Sequence, residues 1–276
     1  MMLDHATLLE HYKPDQRLLS TVSSFPLCKE DNSLFSFRWN NEKIWVKVHA
    51  KTKTEKAHYF QLLLAKLFGL PMLRSMAHAS RYQEGSVREA NHLLQLADSN
   101  VSVPRIIAVT ENWLALSSVG ENVEGYISRK KMTPEARSEF LLASLKSLCK
   151  LHQNGGAHGG PQIRNIMFNE FTQQFAFIDF EEDPKQVMPL ADAQARDFLL
   201  FLASVLMYGQ AGRNLLPRLV ECYYTEAPPE AWKSLLKVYR VARWLNHCLG
   251  WVLKRLGRDM QRGLQILNAV QEIVRK

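Results

Sequence analysis

One segment constrains the fold more than any other, because a long helix with an apolar stripe ends there in a polar loop and a short hairpin follows. The helix is predicted to begin after Thr133, whose hydroxyl suits an N-cap, and to continue to His152. The Asn-Gly-Gly triplet at 154–156 ends it. Two short strands are predicted at 165–168 and 174–180. The loop is therefore anchored on both sides, and its polar side chains are candidates for a functional site.

The elements around this segment predict an α+β protein with two lobes. A hairpin is predicted at 33–50, with its turn at 40–41, and two more strands follow between 101 and 120. We expect a small β-rich lobe over residues 1–120 and a larger helical lobe over residues 121–276. The helical patterns of the second lobe beyond Pro189 cover 190–208, 214–224 and 229–275.

The polar loop and the strand after it resemble the catalytic loop and metal-binding motif of the protein-kinase-like superfamily. The resemblance is to the short form found in RIO-type, lipopolysaccharide-core (Kdo and heptose) and aminoglycoside or choline-type kinases. Those families read His-Gly-Asp, four residues, Asn, then an apolar strand, a turn and Ile-Asp-Phe. Here His158-Gly159-Gly160 is followed by four residues and Asn165, and later by Ile178-Asp179-Phe180. The chain resembles these kinases from about residue 30 to about residue 208.

The resemblance implies a role for each matching residue. His158 and Asn165 correspond to catalytic-loop residues, and Gly160 stands in the position of the catalytic Asp. Asn165 and Asp179 correspond to metal ligands, to which we add Glu181 as a second, weaker ligand candidate. The remaining correspondences are Lys47 to the lysine that holds nucleotide phosphates, Glu89 to its helical ion-pair partner, and Asp197 to the buried aspartate that braces the catalytic loop.

The pattern around Lys47 agrees with a position at the edge of a cleft. Alternation along the predicted strand puts Ile44, Val46 and Val48 on one face and Lys47 on the other. A helix predicted at 81–97 carries Glu89, which can reach the lysine only if that helix packs on the same sheet. The resemblance implies ATP and Mg²⁺ as cofactors, and Asp and Asn side chains offer the hard oxygen ligands that Mg²⁺ prefers.

Three departures from the family pattern affect the predicted activity. Gly160 cannot accept a proton or orient a nucleophile. The hairpin expected to cover the phosphates lacks glycine, since the first glycine of the chain is Gly69. An additional helix, predicted around 55–69, separates Lys47 from Glu89.

Three functions are consistent with these features, and enzymatic activity stays an open question among them. The first is an atypical ATP- and Mg²⁺-dependent phosphotransferase, whose acceptor we expect to be a cell-envelope sugar or, as second choice, a protein hydroxyl. The second is a pseudokinase, a non-catalytic binding or regulatory module that has lost its base. The third is a basic protein that binds an anionic membrane or nucleic acid surface, with the membrane preferred over nucleic acid.

The third function rests on the distribution of charge. The chain has 35 Lys and Arg against 27 Asp and Glu, a net charge of +8. Ten of the basic residues but only three of the acidic ones lie in 230–276, so the remaining chain is almost neutral. Lys233, Lys237 and Arg240 recur at helical spacing near Trp232, Trp244 and Trp251, a pattern typical of a solvated helix face or of a helix on a membrane surface.

The cysteines and the N-terminal residues predict the compartment. The four cysteines, at 28, 149, 222 and 248, are far apart and show no zinc-ligand spacing, which favours a reducing environment. The N-terminal residues lack the basic start and apolar run of a signal peptide. We expect a cytoplasmic protein that is peripheral at the inner membrane if the basic helices bind lipid; the sequence indicates no oligomeric state.

Overall fold

The computed structural model describes residues 3–29, 33–49, 85–98, 101–181, 183–253 and 258–275. These residues form an α+β structure with a small antiparallel sheet region and a larger helical part, as the sequence predicted. The strands are β1 (Leu34–Trp39), β2 (Glu42–Val48), β3 (Ile106–Val109), β4 (Trp113–Ser117), β5 (Glu121–Asn122), β6 (Ile166–Asn169) and β7 (Gln174–Phe177). The described helices are α1 (His5–His11), α2 (Gln16–Ser24), α3 (Gly85–Asp98), α4 (Val123–Lys130), α5 (Pro134–Gln153), α6 (Leu190–Val205), α7 (Gln210–Glu226), α8 (Pro229–Leu253) and α9 (Arg258–Arg275).

The first sheet has four antiparallel strands in the order β1-β2-β4-β3. The predicted hairpin is confirmed, and its turn consists of Asn40 and Asn41 with φ angles of 47° and 65°. Asn tolerates this left-handed conformation, which a two-residue hairpin turn requires at both positions. A second, three-stranded sheet has the order β5-β6-β7, so the chain leaves the first sheet at Ser117 and enters the second at Glu121.

The two faces of β2 separate as the alternation predicted. Ile44, Val46 and Val48 are buried and pack with Leu18 and Val22 of α2 in a small apolar cluster. The opposite face of the sheet belongs to the main core, because α3 packs there against β3 and β4. The four-stranded sheet therefore divides two apolar clusters, and the side chain of Lys47 lies on the side of the larger one.

Helix α5 begins and ends where the sequence predicted. The hydroxyl of Thr133 accepts a hydrogen bond from the Ala136 amide at 3.2 Å, and Pro134 is the first helical residue. Leu141, Leu145 and Leu148 are buried within the core that α5 shares with α7. This packing fixes the start of the polar loop.

Some predicted elements differ from the structure. The helical pattern at 229–275 forms two helices, α8 and α9, which pack on each other and on α7. The helix predicted at 214–224 begins earlier, at Gln210. The helix predicted around 55–69 lies outside the described residues. Within the described part of the chain, no helix is long and apolar enough to cross a membrane.

Candidate functional site

Lys47 and Glu89 form the ion pair that the sequence predicted. Strand β2 presents Lys47 toward α3, which carries Glu89, and Lys47 Nζ lies 3.1 Å from Glu89 Oε2. The Glu89 side chain is only 1% exposed, and its Oε1 also accepts a hydrogen bond from the Phe180 amide at 3.2 Å. A buried carboxylate with both a cation and an amide donor is held in one position. Glu89 therefore links α3 both to the sheet and to the segment that follows β7.

The environment keeps both members of this pair charged. Burial alone would raise the pKa of Glu89, but Lys47 and His49 outweigh it and lower the pKa to about 2. Burial likewise would lower the pKa of Lys47, yet the carboxylates of Glu89, Asp179 and Glu181 raise that pKa above its usual range. Around neutral pH Lys47 is therefore an ammonium group and Glu89 a carboxylate.

Asp179 and Asn165 meet at the same point, although they come from different segments. Asp179 follows β7 with a φ of 71°, a left-handed conformation that Asp tolerates better than most residues. Its carboxylate contacts Lys47 Nζ and accepts a hydrogen bond from Asn165 Nδ2 at 3.3 Å. Asn165 Nδ2 also donates to the Gly160 carbonyl at 2.9 Å. The two predicted metal ligands and the predicted phosphate-binding lysine therefore lie side by side.

Glu181 has a position that the sequence did not predict. We expected a second metal ligand, and the structure places Glu181 Oε1 2.7 Å from Lys47 Nζ. His49, which sequence reasoning missed, lies with its Nε2 3.3 Å from Glu89 Oε2. The ligand atoms of His49, Glu89 and Glu181 are close enough to hold a metal ion, but Lys47 Nζ already contacts both carboxylates. The side-chain alternation of β2, continued by one residue, puts His49 on the same face as Lys47. This alternation could have indicated His49 as a site residue.

The loop of residues 154–165, here called the His158 loop, is braced by Asp197 of α6. Asp197 is fully buried, and its carboxylate accepts hydrogen bonds from the His158 amide at 2.6 Å and the Gly159 amide at 2.9 Å. His152, at the end of α5, lies 3.3 Å from the same carboxylate and 3.1 Å from the hydroxyl of Tyr223. Asp197 thus has the contacts expected of the bracing aspartate.

His158 is part of the packing of this loop. Its ring stacks on Phe180 with 4.4 Å between centroids, and its Nδ1 accepts a hydrogen bond from the Gly160 amide at 3.2 Å. Burial lowers the pKa of His158 to about 4. The side chain is therefore neutral around pH 7 and is a poor proton acceptor there. Gly159 has a φ of 97°, a conformation that favours glycine.

Gly160 occupies open space in the loop. An added Cβ would meet no atom within 4 Å, and the backbone is not in the left-handed region. The position that holds an Asp in the resembled families could therefore accommodate a side chain. Because residue 160 is a glycine, no carboxylate is present at this position.

A cleft of about 370 Å³ lies beside these residues. Its apolar wall includes Trp45 and Leu116 from the first sheet and Met167 and Ile178 from the second hairpin region. Its polar part includes Lys47, Glu89, Arg164, Asn165 and Asp179. A cavity with apolar walls and a few convergent polar groups is typical of small-molecule sites.

The β1–β2 turn does not line this cleft, although Leu34 and Trp45 of the same hairpin do. Lys47 pairs with Leu34 at the open end of the hairpin, whereas the turn at 40–41 closes the other end. Five residue steps separate the two ends, about 17 Å along a strand. The glycine-free turn at 40–41 therefore lies away from Lys47.

A second cavity, of about 760 Å³, is larger but contains none of the predicted site residues. Tyr12, Leu93, Ile106 and Phe175 contribute to its lining. Size alone does not indicate chemistry, and the convergence of charged groups selects the smaller cleft as the candidate site.

Comparisons with known proteins provide little functional information. No family model matches the chain. An uncharacterised protein from Haemophilus influenzae is 20% identical over 219 residues, which cover 79% of this chain and 81% of that protein. The similarity extends over most of both chains.

Proposed function

We propose that this protein is an atypical phosphotransferase of the protein-kinase-like type, which binds ATP and Mg²⁺ in the cleft beside Lys47. The proposal rests mainly on one observation. Lys47, Glu89, Asn165 and Asp179 come from four separate segments, and the chain brings them into one connected set of contacts. Chance would rarely bring together these four residues, each of which the resemblance selects.

The surrounding architecture supports the same conclusion. The four-stranded sheet has α3 packed on the face that carries Lys47, and the β6–β7 hairpin leads directly into Asp179. The His158 loop is held by the buried Asp197, as the resemblance implies for a catalytic loop. A bilobal kinase-like fold accounts for all of these relationships, whereas fold resemblance alone would not establish activity.

The residues present fit a magnesium nucleotide. Three carboxylates face one lysine, so the site has negative charge left to bind a cation. Asp179 would hold Mg²⁺ through its carboxylate, and Asn165 through its amide oxygen once the amide turns, because its Nδ2 faces Asp179 in this structure. The bound ion would neutralise charge on the phosphates. Lys47 would exchange its contact with the exposed Asp179 for a phosphate while keeping the buried Glu89. The apolar wall that includes Trp45 and Met167 suits the base of a nucleotide.

Gly160 does not by itself exclude phosphoryl transfer. The transition state is loose, so positioning and countercharge contribute more than a base does. We propose a cell-envelope sugar as the first acceptor to test and a protein hydroxyl as the second.

The test is thermal unfolding with and without ATP and Mg²⁺. A ligand at about 100 times its Kd stabilises by about 2.7 kcal/mol, which raises the Tm by several degrees. We expect this shift for the wild type and its loss in Lys47→Ala and Asp179→Ala. Lys146→Ala and Glu139→Ala are matched controls, because both side chains are exposed and form ion pairs outside the cleft. No shift in the wild type would refute nucleotide binding.

Gly160 favours one second candidate, a pseudokinase that binds nucleotide without transferring phosphate. This function predicts the same ATP-dependent stabilisation but no release or transfer of the γ-phosphate with any acceptor. Radiolabelled ATP and the two acceptor classes distinguish the candidates. Turnover that Asp179→Ala abolishes would support the phosphotransferase, and binding without turnover would support the pseudokinase.

A further inference from the structure

Helix α8 carries one exposed stripe that is separate from the cleft. Spacings of three and four residues put six side chains on one arc of the helix, and all six are exposed. The opposite side of α8 includes the buried Ala231, Leu235 and Tyr239, which pack in the main core with α6. The six residues, here called the α8 stripe, are Lys233, Lys237, Arg240, Trp244, His247 and Cys248.

The α8 stripe is strongly cationic. After Glu230 the sequence contains no acidic residue before Asp259, so no carboxylate of α8 follows its first turn. Lys233 pairs with Glu230 at 3.2 Å, whereas no ion pair involves Lys237 or Arg240 within the described residues. Unpaired cations in a row are a binding surface for negative charge.

Trp244 gives the stripe an apolar anchor. Its side chain is 59% exposed between the cations and His247, whereas Trp232 is only 8% exposed and packs against Tyr224. The sequence pattern placed both tryptophans beside the basic residues. The structure shows that Trp232 lies in the core and Trp244 at the surface. An exposed indole among lysines and arginines is typical of side chains at the boundary between lipid headgroups and acyl chains.

We propose that the α8 stripe binds the surface of an anionic lipid bilayer, with α8 parallel to the membrane plane. From Lys233 to Cys248 the stripe extends about 22 Å along the helix, enough to contact several headgroups. Its charge complements anionic lipid, and Trp244 inserts among the headgroups. Lipid is favoured over nucleic acid because the stripe has a single aromatic side chain, whereas single-strand binders stack successive bases on several. This inference is independent of nucleotide binding in the cleft.

Vesicle flotation with the full chain tests the proposal. The probes are vesicles of phosphatidylcholine alone and vesicles with about one-third phosphatidylglycerol, each at low and high salt. We expect binding to the anionic vesicles, weakened by salt. Lys237→Gln combined with Arg240→Gln should reduce the affinity by at least about tenfold, because each cation near such a surface contributes on the order of a factor of five. The matched control combines Lys13→Gln, in the loop between α1 and α2, with Arg38→Gln on β1, because both cations are exposed and lie outside α8.

A second variant, Trp244→Ala, keeps the charges and tests the anchor. It should weaken binding to anionic vesicles and remove any blue shift of tryptophan emission caused by lipid. Circular dichroism monitors folding, and the salt dependence of the wild type tests the proposal without any variant. Equal binding to neutral vesicles, an equal loss in the control pair, or binding to DNA but not to vesicles would each overturn the proposal.

Discussion

Lys47 Nζ lies 2.7 Å from Glu181 Oε1, a contact that joins β2 to the segment after β7 without involving α3. The same ammonium group is 3.1 Å from Glu89 Oε2. The two carboxylates differ in their surroundings, because the Glu89 side chain is 1% exposed and that of Glu181 is 47% exposed. Lys47 thus has one buried partner, whose removal costs much stability, and one exposed partner, whose removal costs little.

We therefore predict very different costs for removing the two carboxylates. Glu89→Ala should lower the free energy of unfolding by about 3 to 5 kcal/mol, because Lys47 loses its buried partner and the Phe180 amide loses its acceptor. Glu181→Ala should cost less than about 1 kcal/mol, because water replaces the exposed carboxylate. Denaturant unfolding measures both. Equal costs would contradict the assignment of Glu89 as the structural partner of the lysine.

Asp197→Asn should destabilise the His158 loop. The carboxylate accepts from the amides of His158 and Gly159, and an Asn side chain would turn its own NH₂ donor toward one of them. Hydrogen bonds to a buried charge contribute about 1.5 to 3 kcal/mol each, so we expect a loss of roughly 3 kcal/mol in the free energy of unfolding.

The control for this substitution is Asp15→Asn. Asp15 caps α2 by accepting from the Leu18 amide at 2.6 Å, and Asn caps helices about as well as Asp. We expect a change within about 0.5 kcal/mol. A comparable loss of unfolding free energy at both positions would show that the hydrogen bonds of Asp197 to the loop contribute no more than a helix cap does.

Stability should fall as the pH drops from about 6.5 toward 4, because His158 is buried. Its pKa is about 4 in the folded protein and near 6.5 when unfolded, so the unfolded chain binds the proton first. The stabilisation is complete above about pH 6.5 and is lost as the pH falls toward 4, by about 3 kcal/mol in total. Burial lowers the pKa of His92 as well, which acts in the same direction.

Equilibrium unfolding at a series of pH values measures this slope. His158→Leu should flatten the curve between pH 4 and 6.5, whatever its effect on absolute stability. His247→Leu is the matched control, because it makes the same replacement at an exposed histidine on α8. An unchanged slope in His158→Leu would mean that other groups cause the acid sensitivity.

Local sequence rules predicted the local structure well. The alternation of Ile44, Val46 and Val48 and the capping of α5 by Thr133 depend on neighbours a few residues apart, and the structure confirms them. The predicted Lys47–Glu89 contact came from the resemblance, because periodicity cannot specify which elements meet across 42 residues.

Contacts that depend on tertiary packing could not be predicted in the same way. The pairing of Lys47 with Glu181 and the proximity of His49 to Glu89 follow from how α3 and the segment after β7 meet the sheet. Residues 254–257 lie outside the described residues, and helical periodicity on either side of them did not indicate that α8 and α9 pack on each other. Trp232 and Trp244 differ in burial because their directions around the helix differ by about 120°, and only the packing of α8 on α6 decides which direction is buried.

Gly160→Asp should leave the fold intact. The substitution tests whether a carboxylate at residue 160 can act as the base that the resembled families have there. An added Cβ would meet no atom within 4 Å, so we expect a change in the free energy of unfolding within about 1 kcal/mol. Gly120→Ala is the contrasting substitution, because Gly120 has a φ of +128° and its Cβ would lie 2.3 Å from the Phe168 carbonyl oxygen. That change should cost at least about 2 kcal/mol.

The same variant reports on chemistry when ATP hydrolysis is measured with Mg²⁺. A positioned carboxylate base contributes on the order of 10² to 10⁴ in rate, so even partial positioning at residue 160 should raise hydrolysis by about tenfold or more. Asp179→Ala in the Gly160→Asp background should remove the gain, because the proposed mechanism requires Asp179 as a metal ligand. A folded Gly160→Asp protein that binds ATP without any gain would favour the pseudokinase, since the cleft would then lack more than its base.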